Sequence, residues 1–355
     1  MKILYIAFKY EYGNPDRGFS FEHYNFYDTL IKMNEGGNEV IYFPIDEITQ
    51  KVGKKEMNKK LIEAAFKEKP DLCFFFFPGE EIDKEAIKKI TQESGAITLN
   101  WFADDHWRFY NFSRHWAPYF SWIATTDPKA VKKYYKIDYK NVILTQWACN
   151  HFLCKPLNSN KIYDITFLGQ PHGNRKKIIK MIKKAGINIE CWGWGWPNGC
   201  ISPEKMVKLF SESKINLGLT NSSTSGFLKS FAQIFLKRQR GGKIKLINPR
   251  YWIDNIKAIL GKRKNQLKGR NYDIPGCGAF LLTKDADDLR DRYKDGKEIV
   301  IFRDTKDLIE KIRYYLDHDK EREAIAMAGY NRTIKDHTYE KRFNEIFKII
   351  GLKNE

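Results

Sequence analysis

Residues 266–282, QLKGRNYDIPGCGAFLL, and the run at 296–302, GKEIVIF, that follows them decide the fold. They read as a basic, glycine-containing turn, a short helix with one acid, a Cys-Gly break and then buried apolar strands. That is the layout of a phosphate cradle in an open α/β sheet. Backbone N–H groups at the helix start, with Lys268, Gly269 and Arg270 in the turn, can hold a diphosphate, and Asp273 one turn on can accept hydrogen bonds from ribose hydroxyls. The same letters also describe an ordinary helix start with solvated cations and a Gly269 that merely permits the turn. Local pattern leaves both readings open.

Outward from this stretch, strand and helix signals alternate. Residues 2–8, 39–43, 97–102, 122–126 and 142–146 read as strands, and 71–77, DLCFFFF, is the continuous apolar run of a strand buried on both faces. Residues 21–33 have helical apolar spacing behind a glycine- and aromatic-containing loop at 10–21. A polar linker at 158–160 precedes new strands at 165–168, 189–192 and 215–219, interleaved with helices at 176–184 and 203–211 and followed by one at 305–316. This predicts two α/β domains with parallel sheets.

With 355 residues and 42% hydrophobic content the chain can bury two cores, and it is neither disordered nor fibrous. Six scattered cysteines without a CxxC pair, and a first segment MKILYIAFKY that reads as a strand rather than a signal peptide, predict a reduced, cytoplasmic setting. No stretch approaches the roughly 18–20 apolar residues needed to span a bilayer, so any membrane contact is expected to be peripheral, at the inner face.

Further constellations sit at strand ends. Residues 169–176, GQPHGNRK, put Gly169 where backbone can approach a ligand, and Arg175 and Lys176 at the head of a helix, where anions are favoured. The alternative is an exposed loop with two solvated cations. Residues 192–197, WGWGWP, with Trp194 at the centre, can enclose a nucleobase or pack in a core. Residues 100–107, NWFADDHW, place Asp104, Asp105 and His106 after a buried strand, where proton transfer and contacts to ligand hydroxyls are served; a helix cap built from either acid reads the same.

The opening segment, together with 308–316 (LIEKIRYYL), 326–329 (AMAG) and 337–339 (HTY), resembles the donor-binding half of the spore-maturation, CgeB-like glycosyltransferases, part of the wider GT-B group. The resemblance extends through 164–169 (DITFLG) and 202–204 (SPE), and more loosely into 101–105 (WFADD) and 125–127 (TTD). It implies an α/β fold of GT-B type, two Rossmann-like doubly wound domains facing a central cleft. Residues 1–157 would form the acceptor side and 158–336 the nucleotide-sugar side, with a basic insert at 223–267 and a last helix in 337–355 crossing back to the first domain. Donor contacts are then expected from Gly169, Arg175, Lys176, Trp194, Lys268, Gly269, Arg270 and Asp273. Asp104, Asp105 or His106 would handle the proton, and Glu22 and His23 would be acceptor-binding candidates. Many retaining GT-B enzymes carry two glutamates eight positions apart near the donor; here the second position holds Asp273 and the first Asn265, which leaves the stereochemical course open. The acid pair is not the DxD pattern of metal-dependent sugar transferases and no His/Cys cluster has zinc spacing, so no metal is expected.

The net charge of +18 is uneven. Residues 223–270 hold thirteen cations against one acid, Asp254, and apolar residues recur at helical spacing around Phe231 and Ile256. Such basic amphipathic segments, spanning 227–260, suit an anionic membrane surface. The same cations suit a polyanion such as nucleic acid, and the apolar faces equally suit internal packing. The expected function is a glycosyltransferase moving a sugar from a nucleoside diphosphate sugar, UDP-linked first, to a hydroxyl of a cell-surface glycan or lipid-linked precursor, with no other cofactor. A transferase acting on modified nucleic-acid bases and a non-catalytic nucleotide-sugar or polyanion-binding protein are the alternatives.

Overall fold

The computed structural model describes residues 1–220, 227–238, 244–262 and 265–352, with the backbone alone at 227–230, 237 and 238. Of the insert's residues weighed from sequence, Arg240, Lys243, Arg263 and Lys264 lie outside the described residues, as do the side chains of Phe227, Leu228, Lys229, Lys237 and Arg238. The chain divides into two compact units, one of Met1–Asp105, Phe112–Phe152 and Thr338–Glu355, the other of His106–Asn111 and Leu153–His337.

The first unit is built on six parallel strands: β1 (Lys2–Ala7), β2 (Glu39–Pro44), β3 (Leu72–Phe76), β4 (Ile97–Phe102), β5 (Trp122–Thr125) and β6 (Val142–Leu144). Their order is β2-β1-β3-β4-β5-β6. β1, apolar after Lys2, and the all-apolar β3 lie inside the sheet, because a parallel sheet covered on both faces leaves no solvent side for alternation. The winding reverses between β1 and β3, and such reversals open a ligand crevice at the strands' carboxyl ends. The loop after β1 therefore lies at the natural binding position of this unit. It ends at Ser20, whose hydroxyl donates to the Phe8 carbonyl at 2.7 Å and accepts the His23 N–H at 3.1 Å. This fixes the start of the following helix, which widens into a π-helical segment over His23–Tyr27.

The core of this unit is completed from the far end of the chain. The helix Tyr339–Ile349, capped by the Thr338 hydroxyl, sets Phe343 against Phe26 at 5.5 Å and Phe74 at 5.7 Å. Tyr339 also donates its N–H to the Cys149 carbonyl at 3.0 Å. Phe343 is fully buried, so Phe343→Ala is expected to cost about 3–5 kcal/mol. Chemical denaturation measures this directly, and a loss under about 1 kcal/mol would show that the helix is dispensable to the core.

The second unit has five parallel strands, β7 (Tyr163–Leu168), β8 (Glu190–Trp192), β9 (Ser213–Gly218), β12 (Leu281–Lys284) and β13 (Val300–Phe302), in the order β13-β12-β9-β7-β8. Its winding reverses between β7 and β9. Between β9 and β12 the chain forms the helix Phe227–Phe235, the antiparallel ribbon β10 (Leu236–Arg238) and β11 (Ile244–Leu246), the helix Trp252–Gly261 and the short helix Arg270–Gly276. Both units are thus doubly wound α/β sheets, the GT-B pattern.

Candidate functional site

In the second unit two glycine turns meet at the carboxyl ends of β7 and β8. Gly169 donates its N–H to the Trp192 carbonyl at 2.9 Å, and its own carbonyl accepts the Trp196 indole N–H at 2.6 Å. Gly193, at φ +116°, lies so close that a Cβ would stand 2.9 Å from the Gly169 oxygen. Only glycine permits this approach. Of the three tryptophans, Trp192 packs edge-on against Tyr163 and Trp196 against Phe167, while Trp194 stands exposed at the tip of the turn.

Arg175, at the head of the helix Arg175–Lys184, turns back over the strand ends instead of into solvent. Its guanidinium donates to the Gln170 carbonyl and to the Leu219 carbonyl, both at 2.8 Å, and lies over the Phe167 ring. It therefore ties together the ends of β7 and β9, the two strands flanking the reversal. Burial, and next the charge of Arg270, lower its pKa to about 10. The Nε atoms of both arginines are buried without a protein hydrogen-bond partner. Three residues after Arg270, Asp273 is buried with neither carboxylate oxygen hydrogen-bonded. Burial and then Cys154 push its carboxyl far up, against the pull of Arg270. Two guanidinium groups and an acid left with open valences are matched by a ligand carrying both anionic oxygens and hydroxyl donors.

The turn before Arg270 is differently built from the expected backbone cradle. The amides of Asn271, Tyr272 and Asp273 bond to the Lys268 and Gly269 carbonyls, and the Lys268 N–H donates to Asn271 Oδ1 at 2.9 Å. Side chains, not these amides, present the charge here. Lys176 lies on the exposed face of its helix, beside a surface hollow shared with Trp196 and Pro197. Asn265, in the first glutamate position of the resemblance, donates to the Asp285 carbonyl at 3.2 Å.

In the first unit the chain separates what looked like one motif. Asp105 is fully buried and accepts from the Thr125 hydroxyl at 2.7 Å and the Tyr134 hydroxyl at 2.8 Å. Burial raises its carboxyl to about 6, with the hydroxyls of Ser113, Thr125 and Tyr134 holding it back. His106 already belongs to the second unit, where Gly261 packs so closely that a Cβ there would overlap the His106 carbonyl. Asp104 instead interacts with Glu22. Burial, then the charge of Glu11, with a smaller push from Asp104, raises the Glu22 carboxyl to about 8, although its own backbone and Ser20 hydrogen bonds oppose the rise.

Glu22 sits beside an aromatic ledge. Tyr10 and Phe19, bridged across the loop, stack at 5.8 Å, and Phe19 stacks on His23 at 4.4 Å. Phe19 and Tyr12 are exposed, with Arg17 over the Tyr12 ring at 4.9 Å. Burial and the charge of Lys9 lower the His23 pKa, so this imidazole is neutral at neutral pH. Asp46, which sequence reasoning missed, holds the loop in place: it accepts the N–H groups of Lys9 and Tyr10, both at 2.9 Å. Its one available signal is its position directly after the second strand.

A family model described as "Glycosyl transferase-like" matches residues 175–348, so it takes in Arg175, Arg270 and Asp273. Spore protein CgeB of Bacillus subtilis is 24% identical over 221 residues, a match covering 62% of this chain and 64% of that protein. The chain thus aligns with just under two thirds of the length of that relative. Among solved structures, the sucrose-phosphate synthase of Thermosynechococcus elongatus superposes with a TM-score of 0.59 at 10% identity, covering 99% of both chains. A glycosyltransferase from Rickettsia africae gives 0.57 at 12% identity, covering 100% of this chain and 99% of the other. Anabaena HepE in complex with UDP gives 0.54 at 10% identity, covering 99% of this chain and 100% of the other. The chain has the GT-B fold and resembles the CgeB-like glycosyltransferases.

Proposed function

We propose that the chain is a glycosyltransferase that moves a sugar from a nucleoside diphosphate sugar to a hydroxyl of a cell-surface glycan or lipid-linked precursor. The observation that carries this reading is the Arg175–Arg270–Asp273 cluster, whose open Nε atoms and bare carboxylate call for one ligand with phosphate and ribose oxygens. The UDP in the Anabaena HepE complex favours uridine as the base. Gly169 supplies close backbone approach and Trp194 an exposed aromatic face, and Lys176, Lys268 and Gly269 border the site. Catalysis then consists of holding both substrates and neutralising the departing diphosphate with the two guanidinium groups. Two arginines in that role make a metal ion unnecessary.

On the acceptor side we assign the proton transfer to Glu22, with Asp104 beside it and His23 shaping the ledge. A carboxyl held near 8 keeps its proton until a slightly alkaline pH and is a far stronger base than an ordinary carboxylate once it ionises. Asp105, enclosed by hydroxyls, positions the strand end.

The test is donor hydrolysis without an acceptor. Incubated with UDP-glucose and a chelator, the protein is expected to release UDP slowly. Binding of UDP with no release would make it a binding protein that has kept the fold. Activity lost on chelation and restored by magnesium or manganese would overturn the metal-free mechanism.

A further inference from the structure

We propose that the insert between β9 and Lys268 docks on an anionic lipid bilayer, an inference that goes beyond the transfer reaction and does not depend on it. The insert has an inner side that is already satisfied. Phe235 packs edge-on to Trp252 at 4.9 Å, the Trp252 indole donates to the Ile247 carbonyl at 3.0 Å, and the Asn255 amide donates to the Ile234 carbonyl at 3.0 Å. Ile234, Asp254 and Ala258 are buried.

What remains outside is apolar. On the helix Trp252–Gly261, Ile253, Ile256 and Leu260 follow one another at three- and four-residue spacing and are 65%, 43% and 56% exposed. That spacing puts them on a single stripe. On the ribbon, Leu236 stands opposite Leu246, and Ile244, two residues along, shares their face; Leu246 and Ile244 are 66% and 69% exposed. Strand alternation sends Lys245 to the other face. Single exposed aliphatics are ordinary, but runs of them on packed elements mark an interaction surface.

Charge selects the occupant. Lys245, Arg250 and Lys257 are exposed around these residues, and the insert's one acid is the buried Asp254. Lys257 and Lys262 also lie over Tyr110 at 4.6 Å and Trp107 at 4.0 Å, adding amphipathic rings of the kind that settle at a headgroup layer. Phosphates of a nucleic acid would be neutralised by the cations alone and give the bare aliphatic stripe no role. A bilayer with anionic headgroups uses both.

The experiment is sedimentation of the full chain with vesicles of equal parts phosphatidylglycerol and phosphatidylcholine, against phosphatidylcholine alone. The protein is expected to pellet with the anionic vesicles, to bind the neutral ones weakly and to be released as salt is raised. Ile253→Ser, Ile256→Ser and Leu260→Ser together should lower the partition coefficient at least about ten-fold with an unchanged thermal melt, since these side chains are exposed in the free protein. Donor hydrolysis should be unaffected by the triple change, which separates this inference from the assignment of the reaction. Failure to bind anionic vesicles at low salt overturns the proposal, as does binding that the triple variant leaves intact. Duplex DNA binding with a steep salt slope and no vesicle binding would move the insert to a polyanion.

Discussion

Glu22→Gln is expected to lower the rate of sugar transfer by ~10²–10⁴-fold while leaving the affinity for UDP unchanged, because the amide keeps the shape of the side chain and loses the proton acceptor. Wild-type turnover should rise with pH through about 8, where the carboxyl ionises, and that limb should vanish in the variant. Stability should move the opposite way. A carboxyl raised from 4.5 to about 8 favours the folded state most when protonated, so its contribution is full below 4.5 and is lost as pH rises through 8. The Gln variant escapes that loss, and above pH 8 it should melt higher than wild type. A variant that is equally slow at every pH but melts lower throughout would make Glu22 a packing residue and return the proton transfer to Asp104.

Arg270→Ala and Asp273→Asn are expected to abolish detectable transfer through loss of the donor. Arg270→Ala removes charge-assisted contacts to phosphate worth about 1.5–3 kcal/mol, or roughly ten- to more than a hundred-fold in nucleotide affinity, and Asp273→Asn alters the hydrogen bond offered to ribose. Calorimetric titration with UDP measures the effect. Asp273→Asn carries a second readout: a buried carboxyl with no partner destabilises the empty protein, so its replacement should raise the melting temperature without ligand while weakening binding. Unchanged UDP affinity in both variants would remove these residues from the donor site.

Most of the fold could be read from the residues. The run LCFFF in β3 has no polar alternation, and the repeated separation of such strands by helical segments admits little besides parallel doubly wound sheets; β4, ITLNWF, alternates with Thr98 and Asn100, yet both are buried. The helix Ile45–Glu68 gave a weaker signal, since Gly53 at φ +78° breaks its phase and, after that break, only Met57, Leu61 and Ala65 form a buried apolar stripe. The ribbon β10–β11 was hidden because three-residue strands are too short for a period to show.

The site was legible in pieces. Arg175, Arg270 and Asp273 each stood out beside a glycine or a helix start, but nothing local says that Arg175 folds onto the Leu219 carbonyl or lies near Arg270. Asp104, Asp105 and His106 are adjacent in sequence but part in the fold: one meets Glu22, one enters a nest of hydroxyls and one joins another unit. The raised carboxyl of Glu22 arises from burial and then from the charges of Glu11 and Asp104, all brought about by tertiary structure, and no spacing rule encodes it.

The placement of the helix Tyr339–Ile349 bears on how the chain is made. Phe26, Phe74 and Trp101 are synthesised early, yet the aromatic rings that cover them follow only after the whole of the second unit. The second unit, continuous from Leu153 to His337 apart from one short segment, can close while its partner still waits with an open hydrophobic face. The first unit is therefore the part in need of a chaperone during translation, and a ribosome stalled between His337 and Phe343 leaves a product whose second unit is folded and whose first unit is prone to aggregate.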